Sequence, residues 1–355
     1  MTDTATLPPA DAPAGPVPSA LPAVLGLEPH RRVFRTGPGE RFVGLDPGTA
    51  VVVGSLPDGL AALVDDLATP TARDELVERA VARGARRADA LDLLSRLHRA
   101  GVVVDASALR RADEHRRRAA VLVEGAGPLA VGVALGLAAA GVGTVHLRTA
   151  GTVTAADLRT GLIEADRGRP RAQALAAAVA AVAPRAVSGP APARFSPDLV
   201  LLTDALVPEP VRVGKLHAAG RAHLAVRLRD GTGVVGPLVL PGRTACLRCL
   251  ELHRRARDRA WPAVAAQLVG KPGTADPACA VATAALATAQ ALVALDGAAG
   301  GGLTPPTLDA TLELEPSAGA LRRRAWPPHP DCGCGAAGRR AAAVPGPAPG
   351  PAAPP

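Results

Sequence analysis

Apolar and polar positions along this chain follow short strand-like rhythms first, and longer α/β rhythms beyond about residue 105. Arg32 to Arg35, Arg41 to Leu45 and Ala50 to Val53 are brief strand-like runs. Gly37-Pro38-Gly39 and Asp46-Pro47-Gly48 stand between them as turn signals. Three helical stretches follow, at Pro57 to Leu67, Ala72 to Arg83 and Arg87 to Ala100. Pro57 suits a first helical position. Asp74 and Glu75 fall in the first turn of the second helix, where the helix dipole favours negative charge. Leu91, Leu94 and Leu97 form a stripe on the third, Gly101 stops it, and Val102 to Val104 closes the unit.

Ser107 to Arg118 is dense in charge and reads as a solvated linker helix. Val121-Leu122-Val123 then reads as a buried strand, and Gly125, Gly127 and Ala130 fit G-x-G-x-x-G/A. The two glycines permit a tight turn with close approach to a phosphate, and the small third residue lets a helix pack on the strand. An Ala-rich helix runs to Ala140, Gly141 ends it, and Thr144 to Leu147 is the next strand. The stretch is long enough to span a membrane, but Glu124 and several glycines interrupt it, and a βαβ start accounts for the same residues. Further on, Asp166-x-Gly168-x-x-Arg171 opens a helix to Val182, and Asp198 to Thr203 is an apolar strand ending at Asp204. A helix at Pro208 to Gly220, strands at Leu224 to Leu228 and Val234 to Leu240, and an apolar helix at Cys279 to Leu295 complete the pattern.

The expected fold class is α/β, a Rossmann-like domain over 119–335. A small α+β domain over 28–105 precedes it, with the strand and helix order of a winged helix, and 106–118 links the two. Residues 1–27 and 336–355 are Pro/Ala-rich and are expected to be disordered tails.

The core must be built from Ala, Val and Leu, because the chain has no tyrosine, three phenylalanines and two tryptophans. The net charge of +8 raises the question of nucleic acid. The basic residues are scattered, no aromatic platform interleaves them, and the third helix carries Asp89 and Asp92, so nucleic-acid binding is not expected. A winged-helix DNA-binding regulator stays as an alternative. No basic segment followed by an apolar one opens the chain, so a cytoplasmic protein is expected, with no membrane partner.

Five cysteines include two close pairs, Cys246 and Cys249 as C-x2-C, and Cys332 and Cys334 as C-x-C. Four thiolates so arranged suit a tetrahedral structural zinc with no open position. A redox dithiol at Cys246 and Cys249 is the competing reading, and His329 is a candidate substitute ligand. Cys279 reads as a small buried residue of an Ala-rich helix.

The Gly-rich βαβ start, the strand ending in Thr203-Asp204 and the cysteine tetrad together resemble the ThiF/MoeB/HesA family, the ubiquitin-activating-enzyme-like adenylyltransferases. The small first domain, through G-E-R-F-V-G-L, D-E-L-V-E-R-A and L-L-S-R-L-H-R-A-G-V-V-V, resembles PqqD-like leader-recognition domains. In those, a peptide adds as a strand at a sheet edge against the third helix. The string G-P-L-V-L-P-G-R-T-A-C-L-R-C-L-E-L-H-R is similar to the ThiF-like partner proteins of thiazole/oxazole-modified microcin pathways. That resemblance implies a leader-binding protein that presents its peptide to a YcaO-type cyclodehydratase for azoline formation, and it implies a homodimer.

For the nucleotide pocket, the resemblance implies ATP and Mg2+ at Gly125 and Gly127, with Arg171 for phosphates and Asp204 for the metal. Two departures stand out. Arg148-Thr149-Ala150-Gly151 replaces the ribose-binding acid, and Ala156-Asp157-Leu158-Arg159-Thr160-Gly161 displaces an arginine by one position. Arg148 could instead meet the 2′-phosphate of NADP. Two readings stay open: a non-catalytic partner subunit with a degenerate nucleotide site, and an ATP-dependent adenylyltransferase acting on a C-terminal carboxylate, in which Asp204 and Arg171 would be catalytic.

Overall fold

The computed structural model of the chain describes residues 5–6, 21–298 and 304–343. The chain divides into two compact units between Arg111 and Ala112.

The first unit contains strands β1 (Ala5–Thr6), β2 (Val24–Leu27), β3 (Val33–Gly37), β4 (Glu40–Val43) and β5 (Val51–Val53), then helix α1 (Asp58–Asp66). After these come β6 (Thr71–Ala72), α2 (Arg73–Ala82), α3 (Arg87–Arg99) and β7 (Val103–Asp105), and α4 (Ala106–Arg118) runs across the division. One sheet has the order β1-β5-β4-β3 and a second the order β6-β2-β7. Alternation works as expected in β4, where Arg41 and Val43 are buried. Leu25, Leu63, Leu67, Leu76, Leu94 and Leu97 fill the core. On α3 the buried face is Ala90, Leu93, Leu94 and Leu97, with Leu91 packed at its margin.

The expected tails need correction. Val24–Leu27 is the central strand of the three-stranded sheet, and Leu25 is fully buried. Its partners, Thr71–Ala72 and Val103–Asp105, lie far along the chain, so no local signal announces the pairing. At the other end, Ala336–Ala343 forms helix α11, with Ala336 buried. Of the expected tails, 1–4, 7–20 and 344–355 lie outside the described residues.

The second unit opens with β8 (Ala120–Glu124), α5 (Pro128–Ala139), β9 (Thr144–Arg148), α6 (Arg171–Val182), β10 (Val187–Pro190) and β11 (Leu199–Thr203). It continues with α7 (Pro210–Ala218), β12 (His223–Arg229), β13 (Thr232–Val239), α8 (Leu247–Arg257) and α9 (Trp261–Leu268). Helix α10 (Pro277–Ala298) and strands β14 (Ala310–Glu315) and β15 (Ala320–Ala325) complete an eight-stranded sheet of order β10-β9-β8-β11-β12-β13-β14-β15. The pairs from β10 to β12 are parallel and the rest antiparallel. Strand β8 has β9 on one side and β11 on the other, so the connection reverses direction there. In parallel sheets, ligands bind at the carboxyl ends of strands at such a switch point.

β11 is buried throughout, which explains its uninterrupted L-V-L-L-T run. Helix α10 is long and apolar enough to cross a membrane by length and composition, yet half of its most apolar window is buried. Ala280, Ala284, Ala287 and Ala291 join the same core as α5 and the sheet. Small side chains let these helices approach closely, which is how a core without large aromatics reaches close packing.

In the first unit, Arg41 is buried and donates from Nε and Nη2 to Asp65 at 2.7 and 3.0 Å, and Arg35 adds a third contact at 3.0 Å. Burial works to raise the Asp65 carboxyl, but the two arginines outweigh it and hold it below the ordinary aspartate value of 3.8. A depressed folded pKa contributes stability above the unfolded pKa, and that stability is lost as pH falls through the folded one. Asp65→Asn should therefore lower stability by about 1–3 kcal/mol at pH 7. It should also flatten the acid limb below about pH 4. Urea titrations across pH on the full chain check this; an unchanged acid limb would contradict it.

Candidate functional site

Gly125 and Gly127 lie at the switch point, as the sequence expects, but what approaches them closely is the protein's own Asp204. Asp204 directly follows β11 at φ +71°, a left-handed conformation that aspartate adopts more readily than bulky residues. Its Oδ1 accepts from the Leu129 N–H at 3.0 Å and its Oδ2 from the Ala130 N–H at 3.2 Å. The Thr203 hydroxyl lies 2.9 Å from Asp204 Oδ2 and 3.1 Å from the Glu124 carbonyl. A Cβ on either glycine would come within 2.6 Å of an Asp204 carboxylate oxygen.

The start of α5 is thereby capped from outside its own segment. Pro128 has no N–H, Leu129 and Ala130 donate to Asp204, and Val131 donates to the Gly127 carbonyl at 3.4 Å. A bound nucleotide phosphate usually uses these donors and the positive end of the helix dipole. Burial pushes the Asp204 carboxyl above its ordinary value, against the pull of its three hydrogen bonds.

The flanking charges are also committed. Arg171 is buried and reaches Asp157, itself fully buried, with Nη2 at 3.0 Å and Nε at 3.3 Å, while Nη1 donates to the Ala150 carbonyl. Asp157 accepts as well from the Thr154 N–H at 2.7 Å. Arg148 and Arg212 both pair with Glu124, the latter from Nε at 2.8 Å. A cavity of about 250 Å3 remains beside Gly127, Thr154 and Arg171. That is below the usual range of pockets for ligands of nucleotide size. These residues do not fit ATP and Mg2+ in this arrangement, and an NADP 2′-phosphate would find Arg148 already paired. Sequence reasoning missed Asp157 and Arg212. Asp157 stands in the displaced Ala156–Gly161 motif, and that was its only signal; nothing marked Arg212.

The cysteines do converge. Cys246 caps α8, Cys249 is in its first turn, and Cys332 and Cys334 lie in the segment before α11. All four Sγ atoms fall within 4.8 Å of one another. Sulfur separations are 3.8 Å for Cys246–Cys249, 3.6 Å for Cys246–Cys332 and 3.7 Å for Cys249–Cys334. A tetrahedron with metal–sulfur bonds of about 2.3 Å has edges of about 3.8 Å. The donor set therefore fits a divalent cation such as zinc. The hydrogen bond from the Cys246 thiol to the Cys249 sulfur pushes the Cys246 thiol up and holds Cys249 down. Burial pushes Cys332 up to about 11. His329 is not a member of the tetrad: its Nδ1 accepts from the Asp331 N–H at 3.1 Å. Cys279 is buried and directs its thiol to the Gly231 carbonyl at 3.3 Å.

In the first unit, β5 and α3 line a cavity of about 380 Å3 with Val52, Val53, Leu60, Asp89, Leu93 and Arg96 on its walls. The outer edge of β5 is met by the chain itself, because Ala5 and Thr6 pair in parallel with Val51 and Val52.

Asp204→Ala removes the cap of α5 and should cost the second unit about 1–2 kcal/mol. Hydrogen exchange at the Leu129 and Ala130 amides should speed up relative to the rest of α5. Unchanged exchange at those two amides would show that the cap does not hold in solution.

No known family profile matches the chain, and no curated protein matches it. Solved structures do. E. coli MccB crystallised with MccA-N7isoAsn aligns with a TM-score of 0.66 at 15% identity, covering 88% of this chain and 99% of that one. E. coli MccB with ATP gives the same score, identity and coverage. PaaA aligns at 0.58 and 15% identity, over 83% of this chain and 98% of that one. The likeness extends beyond the second unit, and it shows that the chain has the Rossmann-like, ThiF-type fold.

Proposed function

We propose that the chain is a peptide-binding protein. Its first unit, read as a PqqD-like winged helix, takes the leader of a ribosomally made precursor as a strand beside β5. Its second unit is a zinc-pinned platform, at Cys246, Cys249, Cys332 and Cys334, that presents the peptide to a YcaO-type cyclodehydratase without using ATP. The capped start of α5 carries the non-catalytic part, since the donors that would hold a phosphate already hold Asp204. The peptide part is supported by the β5–α3 groove and by the likeness to MccB crystallised with MccA. Asp89 and Asp92 on that groove speak against duplex DNA as its occupant.

A second reading is ATP-dependent activation of a peptide's C-terminal carboxylate. The likeness to MccB, described as a microcin C7 biosynthetic enzyme and crystallised with ATP, favours it. On the comparisons alone it is the stronger of the two, because MccB is described as a biosynthetic enzyme and was crystallised with ATP. It requires Asp204 to leave α5 and Arg171 to leave Asp157. ATP–pyrophosphate exchange with Mg2+ and candidate peptides separates the readings. The first expects no exchange above background; robust exchange that Asp204→Ala abolishes, with the metal retained, would establish the second.

Freshly purified protein should hold about one zinc per chain. Cys246→Ser or Cys334→Ser should release it and destabilise the second unit, as elemental analysis and thermal melts would show. Wild-type protein without zinc would refute the assignment.

The β5 edge generates a further expectation. Deleting residues 1–20 removes the strand that occupies it and should raise affinity for a leader peptide several-fold, whereas Val52→Pro should abolish binding. Equal affinity of all three proteins in fluorescence anisotropy would place the peptide elsewhere.

A further inference from the structure

Three arginines are buried among the described residues: Arg41, Arg171 and Arg227. Arg41 is paired with Asp65 and Arg171 with Asp157. Arg227, only 3% exposed, makes no hydrogen bond or ion pair with any described residue. The carboxylates of its neighbourhood are engaged elsewhere. Glu251 holds Arg254 at 3.1 Å and accepts from the Trp261 indole, and Glu313 is shared by Arg229 and Arg324. Burial pushes the Arg227 pKa down to about 9, with Arg254 and Arg229 acting in the same direction, and that still leaves it charged at neutral pH.

Arg227 lies on β12, where Leu224, Val226 and Leu228 face the core around α5 and α10. By strand alternation Arg227 faces the other side, with Ala225. There it lines a cavity of about 490 Å3 whose walls include Val213, Leu247 and Leu250 and also the charged Arg248, Glu251 and Arg254. This cavity shares no lining residue with the one beside the phosphate turn. The cysteines Cys246, Cys332 and Cys334 border it, yet none of their sulfurs accepts a hydrogen bond from the guanidinium.

We propose that this cavity binds an organic carboxylate with a compact apolar body, the carboxylate on Arg227 and the body against Val213, Leu247 and Leu250. An unpaired buried charge is unfavourable, and a ligand of opposite sign removes the penalty. The guanidinium fork matches a carboxylate with two parallel hydrogen bonds. Arg248, Glu251 and Arg254 also line the cavity, so Arg227 is not its only charge, and the apolar side chains beside it favour a carboxylate that carries an apolar body. The volume suits a body of amino-acid size or somewhat larger. The carboxylate can be that of a free small acid or the end of a peptide chain. Neither reading of the protein's function uses this cavity, so the proposal stands apart from both.

Calorimetry on the zinc-loaded full chain tests it with N-acetyl-leucine, N-acetyl-leucinamide and N-acetyl-Ala-Ala-Leu. The acids should bind at least about tenfold more tightly than the amide. Arg227→Met should erase that preference, keep its zinc and melt at a higher temperature than wild type. Leu250→Trp, which fills the cavity and leaves Arg227 in place, should block the acids, and it keeps the test decisive if the Arg227 variant does not fold. Tighter binding of the tripeptide than of N-acetyl-leucine would identify a peptide end, and the reverse order a free acid; both support the site. Equal binding of acid and amide would overturn it. So would loss of zinc from Arg227→Met, because Arg227 would then be the counter-charge of the thiolates.

Discussion

The second unit depends on one carboxylate meeting one helix start. Asp204 directly follows strand β11, and its two oxygens receive the first two N–H groups that α5 can offer. The contact joins β11 to the strand–turn–helix at β8 and α5, two segments about 75 positions apart in sequence. It also explains the two glycines of the turn, since any side chain there would strike the aspartate. Helix dipole, turn geometry and strand end are thus one arrangement, and a nucleotide would have to displace it before binding.

The cysteine tetrad imposes the second constraint. Cys246 and Cys332 lie 86 positions apart, and between them the chain makes α8, α9, α10, β14 and β15. On the face of the sheet that α8 covers, Leu247, Leu250 and Val239 supply the apolar contacts. Three of the cysteines are part of the same apolar cluster. A cation held by the four sulfurs would tie the C-terminal segment to α8.

Much of this was legible in the sequence, for reasons that differ by residue. Val121 to Val123, Leu199 to Thr203 and the Leu91, Leu94 and Leu97 stripe carry their periodicity locally, so their elements appear where the pattern puts them, with Leu91 at the margin of the buried face. The cysteine spacing is chemical rather than periodic, and the four sulfurs meet. Val24–Leu27 was not legible, because a four-residue strand in a Pro/Ala-rich context is defined by distant partners. β15 escaped because its Arg322–Arg324 run is exposed, and β14 because the buried polar Thr311 and Glu313 interrupt its apolar run. Among site residues, Gly125, Gly127, Arg171 and Asp204 were found by motif. The motif named their types and left out their partners, and the partners decide what they do.

The distribution of charge carries that point further. Where the family resemblance expects nucleotide contacts, each charged group has a protein partner: Asp204 has α5, Arg171 has Asp157, and Arg148 has Glu124. A site whose charges are mutually satisfied gains little electrostatically from a ligand, because each new contact must replace an existing one. Arg227 is the opposite case, buried to a similar degree as Arg171 but without a carboxylate of its own. The same sheet therefore presents two cavities with opposite electrostatic states. The one at the topological switch point is closed on itself, and the one behind β12 has a charge left to balance.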